Sequence, residues 1–311
     1  MVAVPLIRRW YFRLYCCLML LAGLVPLAHA GLDVAVVVSQ RSGPHGVFAQ
    51  NFSRAAASLG HRVLDAGSPD EGLDDAVLAR ADLVIVSGEA ALSAVLRLHP
   101  RPTLAVMLGR ARFESIRRSH FGRPLSAFIL DQPAERQLRL LQAVMPEALR
   151  AGILFGPERV AASAFEQAAE ALRIDLVDRV VDDESGLMKQ LEAVLRSCDG
   201  LIAVPDTLLT TPGSVRSILL TSYRYQRPII AFSRAYVEAG ALAAVFTTPE
   251  QVVTDLIAWL RTQGGGRVEL PPVSEPASFE IAVNRQVARA LGIKVASDEE
   301  LLRFIATGVR R

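Results

Sequence analysis

Six short polar runs hold most of the side chains in this sequence that could grip a small molecule. They are Ser39 to Gly43, Ser87-Gly88-Glu89, Gly109-Arg110, Gly156-Pro157-Glu158, Pro205-Asp206-Thr207 and Ser233-Arg234. Within them, Ser39, Ser42, Ser87, Asp206, Ser233 and Arg234 are the candidate ligand-binding residues. Hydroxyls and a carboxylate supply donors and acceptors for the polar groups of a solute, and a guanidinium supplies five donors in a fork that fits a carboxylate or phosphate. The same residue types cap helices, because a Ser or Asp at a helix start accepts from an orphan backbone N–H. Arg234 likewise has two readings, as a donor to an anionic or hydroxyl-rich ligand or as the partner of a structural Asp or Glu. Position favours a shared site, since each run follows an apolar stretch of strand length.

Reaction chemistry has little support. The nucleophile-elbow pattern Gly-x-Ser-x-Gly, the phosphate-cradling Gly-Lys-Ser/Thr loop, the dinucleotide Gly-x-Gly-x-x-Gly and the zinc motif His-Glu-x-x-His do not occur. His45, His61, His99 and His120 are scattered without ligand spacing, and only His45 falls in a strand-end loop. Asp182-Asp183-Glu184 precedes a helical segment, where carboxylates favour the positive end of the dipole. The sequence therefore reads as a binding protein with no catalytic residues, no metal site and no cofactor.

The elements that would position these runs alternate between apolar strands and amphipathic helices. Strands are expected at 32–39, 62–64, 83–87 and 103–108, with helices at 48–59, 73–80 and 90–98. Near-continuous apolar runs such as "DVAVVVS" and "DLVIVSG" are what a parallel sheet needs when helices cover both faces. The arginine-rich stretch 111–123 breaks the rhythm and reads as a surface crossover. The alternation then restarts with strands at 125–130, "AGILFG", "IDLVDRVV", "GLIAVPD" and "PIIAF" and helices at 134–144, 161–172, 185–195 and 213–223. The expected fold is thus α/β, with two Rossmann-like lobes. In open parallel sheets the crevice lies beyond the carboxyl ends of the strands, where the six polar runs fall.

The N-terminus bears on compartment. Arg8, Arg9 and Arg13 precede an apolar stretch from about Leu14 to Leu27, and Ala28-His29-Ala30 has the small residues of a signal-peptidase site. The stretch is broken by Pro26 and is shorter than the ~20 residues that span a bilayer, so residues 1–30 are expected to be a cleaved signal peptide and the rest periplasmic. Removing three Arg and no acid takes the formal charge from +2 to −1. A near-neutral chain without a basic block gives no case for nucleic-acid binding. Only Cys198 then remains, which excludes an internal disulfide.

Three features of the second half carry a resemblance: Pro205-Asp206-Thr207 after one strand, Pro228 leading through a strand to Gly240-Ala241-Leu242-Ala243, and the late Asn284 to Gly292 segment. The region from 199 to 305 resembles the periplasmic substrate-binding proteins of ABC transporters, and more narrowly the uncharacterised branch related to tryptophan- and tyrosine-binding components. The resemblance implies a periplasmic-binding-protein type I fold, two lobes with parallel sheets joined by a hinge that the chain crosses more than once. It also implies that the lobes close on a small organic ligand, with an ABC permease in the inner membrane as partner, and it suits a monomer. The expected layout is a signal peptide at 1–30, a first lobe at 31–118 with a return segment near 248–264, a second lobe at 119–247, and a hinge crossing and C-terminal helix at 265–311. "EAGALAAVF", 238–246, is expected to carry the chain toward the hinge, its Gly and Ala letting backbone pass closely between lobes. Where amino-acid-binding members carry an acid, this chain has Ser233 and Arg234, so the ligand class does not carry over. The alternative function on the same scaffold is a sensory or accessory periplasmic binder, for example beside an outer-membrane transporter, with a periplasmic enzyme behind it.

Overall fold

The computed structural model describes residues 31–98, 101–263 and 268–307. The expected export signal, His99 and the Gly264-Gly265-Gly266 turn lie outside the described residues. Five parallel strands build the first sheet: β1 (Asp33–Val38), β2 (Arg62–Asp65), β3 (Leu83–Ser87), β4 (Thr103–Val106) and β5 (Leu125–Phe128), in the order β2-β1-β3-β4-β5. The central strands β3 and β4 are buried along their whole length, as their unbroken apolar runs require. On one face Phe48 and Phe52 of α1 (Gly43–Ala57) stack 5.8 Å apart and pack with Val34, Val36 and Ile85. The other face is covered by α2 (Asp75–Arg80), α3 (Glu89–Leu98) and α4 (Arg110–Ser119).

The second sheet repeats the pattern with β6 (Arg150–Phe155), β7 (Asp175–Val180), β8 (Gly200–Ile202), β9 (Ile229–Ala231), β10 (Ala243–Phe246) and β11 (Glu280–Val283), in the order β7-β6-β8-β9-β10-β11. The first five are parallel and in the same relative order as the first sheet, while β11 runs antiparallel to β10. Its helices are α5 (Ala134–Val144), α6 (Ala162–Leu172), α7 (Leu187–Leu195), α8 (Pro212–Arg224) and the short α9 (Arg234–Glu238). The chain then returns to the first lobe: α10 (Pro249–Leu260), opened by a Thr248–Gln251 capping box, sets Val252, Val253 and Leu256 in the core beside Phe48 and Phe52. Two further helices, α11 (Arg285–Ala290) and α12 (Asp298–Thr307), complete the second lobe, where Leu301 and Ile305 are buried. The fold is thus α/β with two doubly wound lobes of type I order, joined by a hinge.

Three expectations are corrected. Residues 110–119 form helix α4, whose Phe113 is fully buried and whose Ile116 packs on the core. Its arginines lower the mean hydropathy and hide the apolar stripe, but they point outward to acids, with Arg112 on Glu89, Arg117 on Glu114 and Arg118 on Glu158. The strand at 125–128 does not open the second lobe, because it pairs in parallel with β4 in the first sheet, so the first lobe runs past residue 118. The segment 241–246 does not pass between the lobes: it is wholly buried and ends in β10, inside the second sheet. Gly240, at φ +127°, makes the turn from α9 into that strand, a conformation that favours glycine.

The chain crosses between lobes at 129–133, at 247–248 and at 275–279. A hydrogen-bond relay joins all three crossings, since Gln132 Nε2 donates to Thr247 Oγ1 at 2.8 Å and Thr247 Oγ1 donates to the Ser278 carbonyl at 2.8 Å. Arg136 braces the relay by donating to Gln132 Oε1 and the Pro276 carbonyl while stacking 4.2 Å from the Phe279 ring centroid.

Candidate functional site

The carboxyl ends of β4, β6 and β8 meet across the gap between the lobes and enclose a narrow cavity. Arg110 and Ala111 line it from the first lobe, Asp131 and Gln132 from the first crossing, and Glu275 from the third. The second lobe contributes Gln137 of α5, Phe155 at the end of β6, Ala161 and Phe165 at α6, and Pro205 and Asp206 after β8. The enclosed space is ≈ 30 Å³, room for one or two waters. At its rim Arg118 of the first lobe reaches both carboxylate oxygens of Glu158 in the second, at 2.8 and 2.9 Å.

Glycines make room for two of the acids. A Cβ added at Gly156 would lie 2.4 Å from Asp206 Oδ2 and 2.7 Å from Oδ1, so the carboxylate occupies the space that a side chain would fill. At Gly109 a Cβ would lie 3.1 Å from Asp131 Oδ2 and 4.0 Å from Pro205 Cβ, which brings first-lobe backbone close to the second lobe. Asp206 Oδ1 accepts from the Leu208 N–H at 2.9 Å, and its own carbonyl accepts from Thr210. Asp131 Oδ2 accepts from the Arg110 N–H at 2.6 Å. Burial pushes the Asp131 carboxyl above the ordinary carboxylate range, against the opposing pull of that N–H. The Arg110 guanidinium is held by Glu275 at 3.0 Å.

Of the six residues nominated from the sequence, Asp206 lines this cavity. The Ser39 and Ser87 hydroxyls bond within their own lobe. Ser87 is fully buried and its Oγ lies 2.8 Å from His45 Nδ1. Ser39 Oγ accepts from the Ala91 N–H at 3.1 Å, and Ser42 occupies the N-cap position of α1, exposed, with no side-chain cap bond. Burial holds the His45 pKa below the ordinary histidine value, which keeps the ring neutral near pH 7. Ser233 caps α9 by accepting from the Tyr236 N–H at 3.2 Å. Arg234 takes its structural reading: it pairs with Glu280 at 3.3 Å and stacks 5.1 Å from the Phe246 ring centroid.

Sequence reading missed Asp131, Gln132 and Gln137. The signal for Gln137 was present, since it is a polar residue on the stripe formed by Ala134, Leu138 and Leu141 and is 2% exposed. Among the described residues no group of three or more His, Cys, Asp or Glu side chains is placed to hold a metal ion. Nor, among them, is any helix long and apolar enough to cross a membrane.

Residues 130–307, from the first crossing to the end of α12, match the family model described as ABC transporter substrate binding protein. The chain belongs to that family. Solved structures share its architecture across both lobes. A substrate binding protein with adhesive properties from Clostridium difficile, in its ligand-free, open form, superposes with a TM-score of 0.62 at 15% identity, covering 86% of this chain and 96% of that one. A conserved domain protein from Vibrio cholerae gives 0.59 at 14% identity, covering 87% and 97%. The ABC domain from Streptococcus pneumonia in complex with L-Trp gives 0.58 at 15% identity, covering 88% and 98%. At such identities these likenesses establish the fold alone. No curated protein matches the chain.

Proposed function

We propose that this substrate-binding protein is the periplasmic solute-binding component of an ABC-type import system, taking a small organic ligand between its lobes and delivering it to an inner-membrane permease. The observation that carries the reading is the cavity itself, to which both lobes and two of the three crossings contribute side chains. A site built this way couples occupancy to lobe position, because a ligand touching both sides stabilises closure by its differential affinity for the closed form. The enclosed space is too small for an organic molecule in this conformation, so the lobes part to admit one. The Gln132–Thr247–Ser278 relay sits where that motion pivots. Asp206 is the proposed ligand contact retained from the sequence, whereas Ser233 and Arg234 serve the second lobe's own structure.

A thermal-shift screen against amino acids, carboxylates, sugars, nucleosides and amines tests the reading, with L-tryptophan included because the Streptococcus protein was solved with it. A micromolar ligand at millimolar concentration adds about 4 kcal/mol to folding stability, an easily seen rise in melting temperature. A well-folded protein that no small solute stabilises would overturn the proposal. The protein is expected to run as a monomer in gel filtration with and without its ligand.

A further inference from the structure

The ionisable side chains lining the interlobe cavity are Arg110, Asp131, Asp206 and Glu275, three acids against one base. The base is committed, since Arg110 and Glu275 form an ion pair. That leaves Asp131 and Asp206, whose carboxylates each accept a backbone N–H and have no ion-pair partner among the described residues. A second observation is independent of charge. Gln137 is 2% exposed and lines the cavity, its Nε2 donates to the Gln132 carbonyl at 3.3 Å, and its Oε1 is buried without a hydrogen-bond partner. Turning the amide over would set Oε1 against that carbonyl oxygen, so the orphan atom is an acceptor. A buried acceptor left unpaired is costly, and a ligand donor removes the cost.

We infer, on the reading that this cavity is the ligand site, that it is built for an organic cation, a protonated amine or guanidinium on a compact apolar body, rather than for an anion. The cationic head sits between Asp131 and Asp206 and donates to Gln137 Oε1. The apolar body meets Phe155 and Phe165, whose rings pack edge to face 6.1 Å apart in the cavity wall. Burial raises the Asp131 pKa even though the Arg110 charge pulls the other way, and a cationic head placed against the carboxyl would favour its ionised form. Of the neighbouring cations, Arg136 points to Gln132 Oε1 and the Pro276 carbonyl on the hinge side, Arg118 is occupied by Glu158, and Arg159, 5.4 Å from the Phe155 ring centroid, is paired with Asp178 and Glu166. None of the three is free to receive a carboxylate.

Compounds with one body and three charges separate the possibilities: 2-phenylethylamine, 2-phenylethanol and phenylacetate, with agmatine and putrescine as aliphatic cations, each titrated calorimetrically into the purified protein. The expected result is binding of at least one amine or guanidine, at least about tenfold tighter than 2-phenylethanol or phenylacetate, and weakened by about tenfold or more in Asp206→Asn with an unchanged melting temperature. Gln137→Glu, which adds a carboxylate where the orphan acceptor lies, is expected to tighten the amine. If phenylacetate or 2-phenylethanol binds as tightly as the cations, and Asp206→Asn abolishes it, the cation assignment falls while the cavity stands as the ligand site. If an amine binds but Asp206→Asn leaves its affinity unchanged, the assignment of this cavity to the cation falls. If none of these compounds binds while the thermal-shift screen finds a ligand without a cationic group, the cation assignment falls and the binding function stands.

Discussion

The two lobes share one strand order, yet Ser39 and Ser87 of the first and Asp206 of the second are partnered in opposite ways. In the first lobe those groups face one another: Ser87 meets His45, Ser39 receives the Ala91 N–H, and the Ser39 N–H donates to the Ser87 carbonyl at 2.9 Å. In the second lobe Asp206 stands in the cavity with one backbone N–H for a partner, in the space left by Gly156. Hydroxyls bonded to each other's neighbours rigidify a rim, whereas a carboxylate with one backbone partner keeps lone pairs free, as the proposed ligand contact requires. Topology alone brings both sets to the crevice, and hydrogen-bond accounting decides which set is available.

The sharpest way to break this contrast is to fill one glycine in each lobe. Gly156→Val drives a side chain into the Asp206 carboxylate and is expected to weaken ligand binding roughly 100-fold while the second lobe stays folded. Gly88→Ala acts at φ +92°, where an added Cβ would lie 2.5 Å from Ser39 Oγ and 2.6 Å from His45 Cε1. It is expected to cost about 2–4 kcal/mol of stability in denaturant unfolding and to leave ligand affinity in the surviving folded fraction unchanged. If the outcomes were exchanged, the lobes' roles would be too.

Milder substitutions sharpen the same division. Ser87→Ala is expected to cost about 0.5–1.5 kcal/mol of stability, because half-buried His45 Nδ1 loses its partner, with no change in affinity. Arg234→Ala removes an ion pair between half-exposed side chains, and its expected cost is within about 1 kcal/mol, again without effect on ligand. A loss of affinity there would restore Arg234 to the site.

The smallest effect is chemical. Burial pushes the Cys198 thiol up to about 11 from an ordinary 9.0. The native state thus favours the protonated thiol, so this contribution to stability is complete below pH 9 and is lost as the pH rises toward 11. Native protein is expected to resist Ellman's reagent at pH 8 and to react fully once unfolded.

Which features could be read from the sequence follows the same physics. Strands such as Leu83–Ser87 were legible because burial on both faces leaves no polar residue to interrupt the run. Helix α4 was not, because five arginines in 110–123 outweigh the Phe113 and Ile116 stripe in any local average. The lobe to which the strand at 125–128 belongs is not legible, because a parallel strand carries no mark of which sheet it joins. Asp206 was legible from its place after a strand. Asp131 and Gln132 lie in a crossing that becomes a cavity wall only when the lobes face each other. The silence of Ser39 and Ser87 depends on Ala91 and His45, partners that strand-end position does not reveal.

The central claim is that a ligand held between the lobes sets their separation about the three crossings. Small-angle scattering of the protein, alone and with a saturating concentration of the compound that most raises its melting temperature, tests this directly. The account predicts a smaller radius of gyration with ligand in the wild type and no change in Gly156→Val at the same concentration. An unchanged radius in the wild type, with saturation confirmed by calorimetry, would contradict it.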